Sequence, residues 1–314
     1  MSSEAFHAGE CALQARAGVR ERLAAHGAQI MRTFMPEQHC DFFRQLLFIV
    51  VGSVDGEGQP WASMLAGPRG FIDAPDPGRL VIHTLPSAAS PLAVGLVPGA
   101  SIGLLGIEAH TRRRNRMNGV VARVAADEFE VEVRQSFGNC PKYIQARQPE
   151  FTPARRPARP VVRSAGLDQQ ARALISAADT FYIATAHPAA AAGCDRAHGV
   201  DVSHRGGKPG FVRIDDDHTL TVPDFTGNNF FNTLGNLLLN PRAGLLFTDY
   251  ANGDLLYIAV DTQIIEDGAE VAAFAGARRL LRLRIGETLL APGALPLTWS
   301  TAELSPYLTA TGHW

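Results

Sequence analysis

Two clusters of basic residues stand out as places where this chain can hold an anion. The first is Thr111-Arg112-Arg113-Arg114-Asn115-Arg116-Met117-Asn118-Gly119. Alternate residues of a strand share a face, so Arg112, Arg114 and Arg116 are predicted to point the same way. Three like charges on a half-buried face repel one another unless an anion or acidic side chains answer them. The alternative is a charged edge strand that resists pairing with other chains. The second cluster is Ser203-His204-Arg205-Gly206-Gly207-Lys208. Its glycines let backbone approach a ligand, and Arg205 can grip a phosphate with two N–H groups; the alternative is a solvated hairpin tip. A third segment, Pro223-Asp224-Phe225-Thr226-Gly227-Asn228-Asn229, leads into a predicted helix over Asn229–Leu239. Helix N-termini offer unpaired N–H groups and the positive end of a dipole, which suits a phosphate. Asn228 and Asn229 either donate to such a ligand or cap the helix.

Other chemistry-bearing residues form weaker patterns. Asn139-Cys140-Pro141-Lys142-Tyr143 places a thiol, an amine and a phenol at the start of a helix predicted through Arg147; the plainer reading is a structural helix cap. His187 and His198 fall in an Ala- and Gly-rich loop, and no histidine spacing matches a metal site. The four cysteines, Cys11, Cys40, Cys140 and Cys194, include no C-x-x-C pair, which argues for a reduced, cytoplasmic setting without a disulfide framework or zinc.

These residues are carried on a duplicated scaffold. Ser203 lies 140 residues after Ser63, and Gly210-Phe211 lies 140 after Gly70-Phe71. The segment from Leu220 matches that from Leu80 at the same spacing, and GLLFTD from Gly244 matches GLLGIE from Gly103 at 141. A repeat this long is too large for a solenoid unit and predicts two copies of one β-rich domain, packed face to face with a pocket between them. Ser63 and Ser203 then occupy matching places, where a hydroxyl either touches a ligand or satisfies a strand edge. In the first copy the turn Thr84-Leu85-Pro86-Ser87-Ala88-Ala89-Ser90 has no cation, so that copy is expected to hold the weaker or empty site.

The 314 residues suffice for two cores of roughly 100–150 residues each. Charged residues make up 19% and the formal net charge is −2, which argues against nucleic acid as a partner. No apolar run approaches the roughly 20 residues needed to span a bilayer, so no membrane segment is expected, and the N-terminus lacks the apolar stretch of a signal peptide.

Strands are predicted at Leu47–Val54, Trp61–Leu65, Arg79–Thr84, Ser101–Ile107, Arg112–Arg123, Glu128–Val133, Thr180–Thr185, Ala243–Thr248 and Leu255–Val260. Helices are predicted over residues 10–34, Pro36–Leu46, Pro91–Leu96, Leu167–Ala178 and Ala269–Leu280. The resulting organisation is a helical segment over 1–45, a first barrel half over 46–148, a Pro- and Arg-rich linker over 149–166, and a second half with a C-terminal extension over 167–314. Many short strands with few helices predict a β-rich fold of two tandem small barrels forming a pseudo-dimer.

The order of a strand, turn, strand, Gly-Phe element, P-D-F-T-G-N-N, helix and N-P-R-A-G-L-L-F resembles the pyridoxamine 5′-phosphate oxidase-like family of FMN-binding split barrels. The likeness runs over about Leu46–Val133 and Thr180–Val260, and extends to that family's long duplicated members. It implies FMN as cofactor. The flavin-side strand would be Lys208-Pro209-Gly210-Phe211-Val212-Arg213. The phosphate turn would be Pro223–Asn229, the N-P-x-A element Asn240–Ala243, and Trp299 would either lie against a flavin edge or be a core residue. The family's phosphate turn carries Ser-Arg-Lys where this chain has Gly227-Asn228-Asn229, so two local cations are missing. Arg112, Arg114 and Arg116 of the first half, reaching across to the second, are expected to replace them. The resemblance implies an oxidoreductase acting on a small molecule with a separate electron donor or acceptor, and the altered turn argues against pyridoxamine phosphate itself. A non-catalytic flavin carrier, a deazaflavin protein and a haem-binding protein are the alternatives, and a homodimer of the whole chain is compatible with the pattern.

Overall fold

In a computed structural model that describes residues 5–153, 159–192 and 195–314, the chain opens with three helices. These are α1 (Ala8–Arg16), α2 (Arg20–Ile30) and α3 (Glu37–Arg44). The single helix expected over 10–34 is thus two. At the start of α1, His7 accepts the Gly9 N–H and Glu10 reaches back to the His7 N–H, a reciprocal cap.

The first barrel comprises β1 (Phe48–Val54), β2 (Pro60–Ala66), β3 (Ile72–Asp76), β4 (Arg79–Ile82), α4 (Leu92–Gly95), β5 (Ser101–Glu108), β6 (Arg113–Val124) and β7 (Phe129–Asn139). Short strands β8 (Pro149–Phe151) and β9 (Val162–Ser164) stand at the two ends of the expected linker, whose residues 154–158 lie outside the described residues. The second barrel is preceded by α5 (Gln169–Ala177), which Asp168 caps. It comprises β10 (Thr180–Ala186), β11 (Val200–Gly206), β12 (Arg213–Ile214), β13 (Thr219–Phe225), α6 (Asn232–Leu239), β14 (Arg242–Thr248), β15 (Leu255–Ile265), α7 (Ala269–Ala273) and β16 (Ala277–Ala291). A last strand, β17 (Leu297–Trp299), pairs with β8. Among the described residues no helix is long and apolar enough to cross a membrane.

The duplication is explicit in the sheets. The first is ordered β2-β1-β5-β6-β7-β4-β3 and the second β11-β10-β14-β15-β16-β13-β12, the same path strand for strand, with all neighbours antiparallel. The chain is a tandem of two split β-barrels packed as an internal pseudo-dimer. Matching turns follow the second strand of each: Gly70 and Gly210 adopt φ of 87° and 84°, a region glycine enters without steric cost. Phe71 N–H then donates to Pro68 O at 3.0 Å, and Phe211 N–H to Lys208 O at 2.9 Å. The segment Lys208–Arg213, expected as a flavin-side strand, is therefore mostly this turn, with Phe211 and Val212 buried inside the second barrel.

Alternation explains the apolar run of β1. Ile49 and Val51 face the first barrel's interior, whereas Phe48 and Val50 face the other barrel. In β10, Phe181 and Ile183 point inward while Tyr182 and Ala184 join the same inter-barrel core. A strand buried on both faces reads as continuously hydrophobic. The barrels meet through paired close approaches. A Cβ on Gly103 would come within 2.4 Å of Val200 O, and one on Gly244 within 2.2 Å of Pro60 O. Each of these residues is the counterpart of another across the interface, as two-fold packing requires.

One expected helix is absent and another is cut short. Over Asn139–Arg147 the chain ends β7 and turns, with Tyr143 left-handed at φ 64° and Ala146 bridging to Glu303. The Ala-rich stretch expected as helix to Leu280 keeps only α7, because β16 pairs with both β13 and β15 and tertiary pairing overrides local propensity.

Candidate functional site

Where the first barrel's β6 and β7 meet β11, β13, α6 and β16 of the second, a cavity of about 410 Å³ opens. Its lining includes five arginines, Arg114, Arg116, Arg205, Arg278 and Arg279, against one carboxylate, Asp224, among the described residues. Such an excess of positive charge in a partly closed space favours an anionic occupant.

The arginines are held in different ways. Arg116 is 4% exposed and ties the barrels together. It donates to Asp201 Oδ1 at 3.0 Å, Asn232 Oδ1 at 3.1 Å and Ser203 Oγ at 2.5 Å. Asp201 also accepts from Asn118 and Asn236, and Ser203 Oγ lies 2.8 Å from Thr233 Oγ1. Arg205 pairs with Asp224, and Arg279 approaches the same carboxylate at 3.6 Å. Arg114 donates to Cys140 O at 2.7 Å and Arg278 to Thr226 Oγ1 at 3.0 Å; neither has a carboxylate partner among the described residues. Burial depresses the pKa of both Arg114 and Arg116. Burial also drives His204 well below its usual value, with help from Arg114 and Arg205, so its imidazole is neutral. Beneath the network Glu10 is pushed well up, first by burial and then by Asp201. Four buried nitrogens at this cavity have no hydrogen-bond partner among the described residues: Arg116 Nε, Arg205 Nε, His204 Nδ1 and Asn139 Nδ2.

Local backbone geometry sets the rest. Asn229 and Phe231 are left-handed, with φ of 62° and 65°, an uncommon region for side chains of this size. Phe231 is the cap residue of α6 and has no side-chain oxygen to offer its first turn. The N-terminal residues Asn232, Thr233 and Leu234 line the cavity. A helix start without a side-chain cap leaves N–H donors for an anion. Opposite, a β-bulge pairs Asp224 with Arg279 and Phe225 with Ala277, making Arg278 the extra residue. That break in alternation lets two consecutive arginines reach one cavity.

The expected residues divide accordingly. Ser203, His204, Arg205, Asp224, Phe225, Gly227, Asn228, Asn229, Arg114 and Arg116 come together here, first-half arginines beside the second-half turn. Neither Asn228 nor Asn229 caps α6: Asn228 accepts the Phe230 N–H and donates to Asn139 Oδ1 at 3.2 Å, bridging the barrels. Pro223 and Phe211 border a small adjoining hollow of about 70 Å³. Lys208, Gly210 and Val212 lie outside the lining, and Lys208 Nζ donates to Thr311 O at 2.7 Å. Arg112 departs from the expected face. It is left-handed at φ 57°, one residue before β6 begins, and its guanidinium bonds Ile144 O and Glu303. Trp299 packs edge-on against Phe48 and Tyr250, away from the cavity. Arg278, Arg279, Phe231, Asn232 and Thr233 were not foreseen. The Arg278-Arg279 doublet was visible in the sequence, but only the bulge gives it meaning.

No family model and no curated relative matches the sequence. Among solved structures, one of HupZ from Group A Streptococcus matches at 14% identity and TM-score 0.30, covering 39% of this chain and 98% of its own. An FMN-binding protein from Syntrophomonas wolfei matches at 15% and 0.27, over 38% of this chain and 86% of its own. An F420 reductase matches at 14% and 0.23, over 32% of this chain and 95% of its own.

Proposed function

We propose that this chain binds FMN in the cavity between its barrels and acts as an oxidoreductase on a small molecule, with a separate electron donor or acceptor. The observation that carries this reading is the set of five arginines facing one carboxylate beside an uncapped helix start. The cavity's size suits a nucleotide-sized ligand. The orphaned Arg205 Nε and Arg116 Nε are donors, which is what a phosphate and a polyhydroxyl chain require. Arg205, Arg278, Arg279 and the α6 N-terminus would hold the phosphate. Phe225 and Phe231 supply apolar wall, and Asn228 closes the site between the barrels. When bound, the flavin supplies the redox chemistry. Arg114, lacking a carboxylate partner, keeps positive charge at the cavity, and His204 contributes a neutral imidazole.

His204 also supports a second reading. A buried neutral imidazole with an unpartnered nitrogen at a cavity is the form that ligates haem iron. The absorption spectrum of the purified protein tests both. Bands near ~375 and ~450 nm report flavin, and one intense band near ~400 nm reports haem. A colourless protein that takes up neither FMN nor haem on titration would overturn both readings.

A further inference from the structure

A second cavity, of about 450 Å³, lies between α5 and the loop joining β14 to β15, and shares no lining residue with the first. Its electrostatics are opposite. Asp179, Asp249 and Asp254 line it, and Arg147 is its one cation among the described residues. Arg147 is already committed: it pairs with Asp179 Oδ2 at 2.5 Å, and its guanidinium sits 4.1 Å from the centre of the Tyr250 ring. Asp249 accepts from the Ala251 and Asn252 backbones and the Asn252 side chain, and Asp254 from Gly293 N–H and Gln170. These donors are neutral, so they orient the two carboxylates without cancelling their charge.

Two buried oxygens here are unsatisfied. Asp179, 6% exposed, has no partner for Oδ1, and Thr248, 4% exposed, has none for Oγ1. A carboxylate oxygen accepts only, so the missing group is a donor. The excess of negative charge around it favours a cationic donor over a neutral one. The small side chains of Ala173 and Ala177 on α5 leave room for an apolar stem.

We propose that this cavity is a binding site for a small organic cation, an alkylammonium or alkylguanidinium compound whose N–H groups meet Asp179 and Thr248 and whose charge is answered by Asp249 and Asp254. Arg147 against Tyr250 and Asp179 is the chain's own example of the chemistry such a ligand would repeat.

The test uses n-butylguanidinium chloride as probe, titrated calorimetrically into the full-length protein, with sodium butyrate as the charge-reversed control. Saturable binding of butylguanidinium at about 1 mM or tighter is expected, with no binding of butyrate. Ala177 is an exposed helical position, so Ala177→Phe fills the entrance without disturbing the core and should abolish binding. Asp254→Asn keeps an acceptor but removes a charge, and should weaken binding about 10-fold. The absorption spectrum of any bound flavin should be unchanged in both variants, which separates this site from the first cavity. Absence of saturable butylguanidinium binding, or equal binding by Ala177→Phe, would overturn the proposal. If Asp254→Asn does not fold, the Ala177→Phe arm still decides.

Discussion

The charged cavity has a counterpart across the pseudo-two-fold axis, and the two have diverged in opposite directions. At the positions 140 residues earlier, on the equivalent strand β2, His204 of β11 becomes Met64, Arg205 becomes Leu65 and Asp201 becomes Trp61. In the sheets Leu105 stands opposite Arg116, and its equivalent Leu246 stands opposite Tyr257; likewise Ile107 faces Arg114 and Thr248 faces Leu255. At the start of α4, Leu92 and Ala93 replace Asn232 and Thr233 of α6. Trp61, Met64, Leu255 and Tyr257 all belong to the apolar core between the barrels. The same backbone positions thus pack the junction at one end and line a charged cavity at the other. Buried charge is costly unless paired, so a duplicated chain that needs one anion site gains stability by making the other apolar.

The largest expected effect comes from breaking the charged end at its strut. Arg116→Met leaves Asp201 buried without its cation, which should cost roughly 3–5 kcal/mol in urea unfolding. Adding Asp201→Asn should recover part of that loss. If the single variant is as stable as the parent, the network does not hold the barrels together and the contrast between the two ends loses its energetic basis.

A matched pair of truncations sharpens the division of labour. Arg205→Ala should weaken flavin retention about 10- to 100-fold, a loss of roughly 1.5–3 kcal/mol, and should also lower stability, because buried Asp224 is left with only Arg279 at 3.6 Å. Its counterpart Leu65→Ala should cost about 2–3 kcal/mol of stability while FMN titration is unchanged. Equal effects of both on FMN affinity would mean that the two ends share one function.

The scaffold was far more legible in the sequence than the site. The repeat spacing, the apolar runs of β1 and β10 and the Gly-Phe turns predicted two like barrels, because backbone pairing and burial leave a periodic trace. The site depends on departures from regularity, which leave none. Arg112 is lost from the expected face because the strand starts one residue later. Arg278 is gained because a bulge interrupts alternation. Phe231 ends the turn left-handed, a conformation its side chain does not advertise. Lys208 matched a motif, but its turn carries it to the C-terminal segment instead.

His204 distinguishes the ends by pH. Its folded pKa lies well below the ordinary value near ~6.5, first because of burial. As pH falls, the unfolded chain takes up this proton before the folded one does. The stability that neutral His204 allows is therefore complete above about 6.5 and is lost as pH falls below that value toward the folded pKa. His204→Met installs the residue of the apolar end. Its stability should fall less steeply between pH 6.5 and 5, by up to one proton's slope, ~1.4 kcal/mol per pH unit. Parallel curves for parent and variant would show that the imidazole is not held neutral.

The smallest effect is expected at the apolar end itself. Tyr257 stands where the charged end has Arg116, and burial raises its pKa to about 12, so it remains a neutral phenol. Ser90 is its hydrogen-bond partner, whereas Arg116 uses Ser203, the counterpart of Ser63. The two contacts differ in partner and in kind, since one is neutral and the other charge-assisted. Tyr257→Phe keeps the ring in the inter-barrel core and removes only the hydroxyl, so it should cost about 0.5–1.5 kcal/mol and leave FMN binding unchanged. Thermal unfolding with and without added FMN measures both quantities. If FMN affinity fell in this variant, the apolar end would be part of a binding site after all, and the two ends would differ in ligand rather than in role.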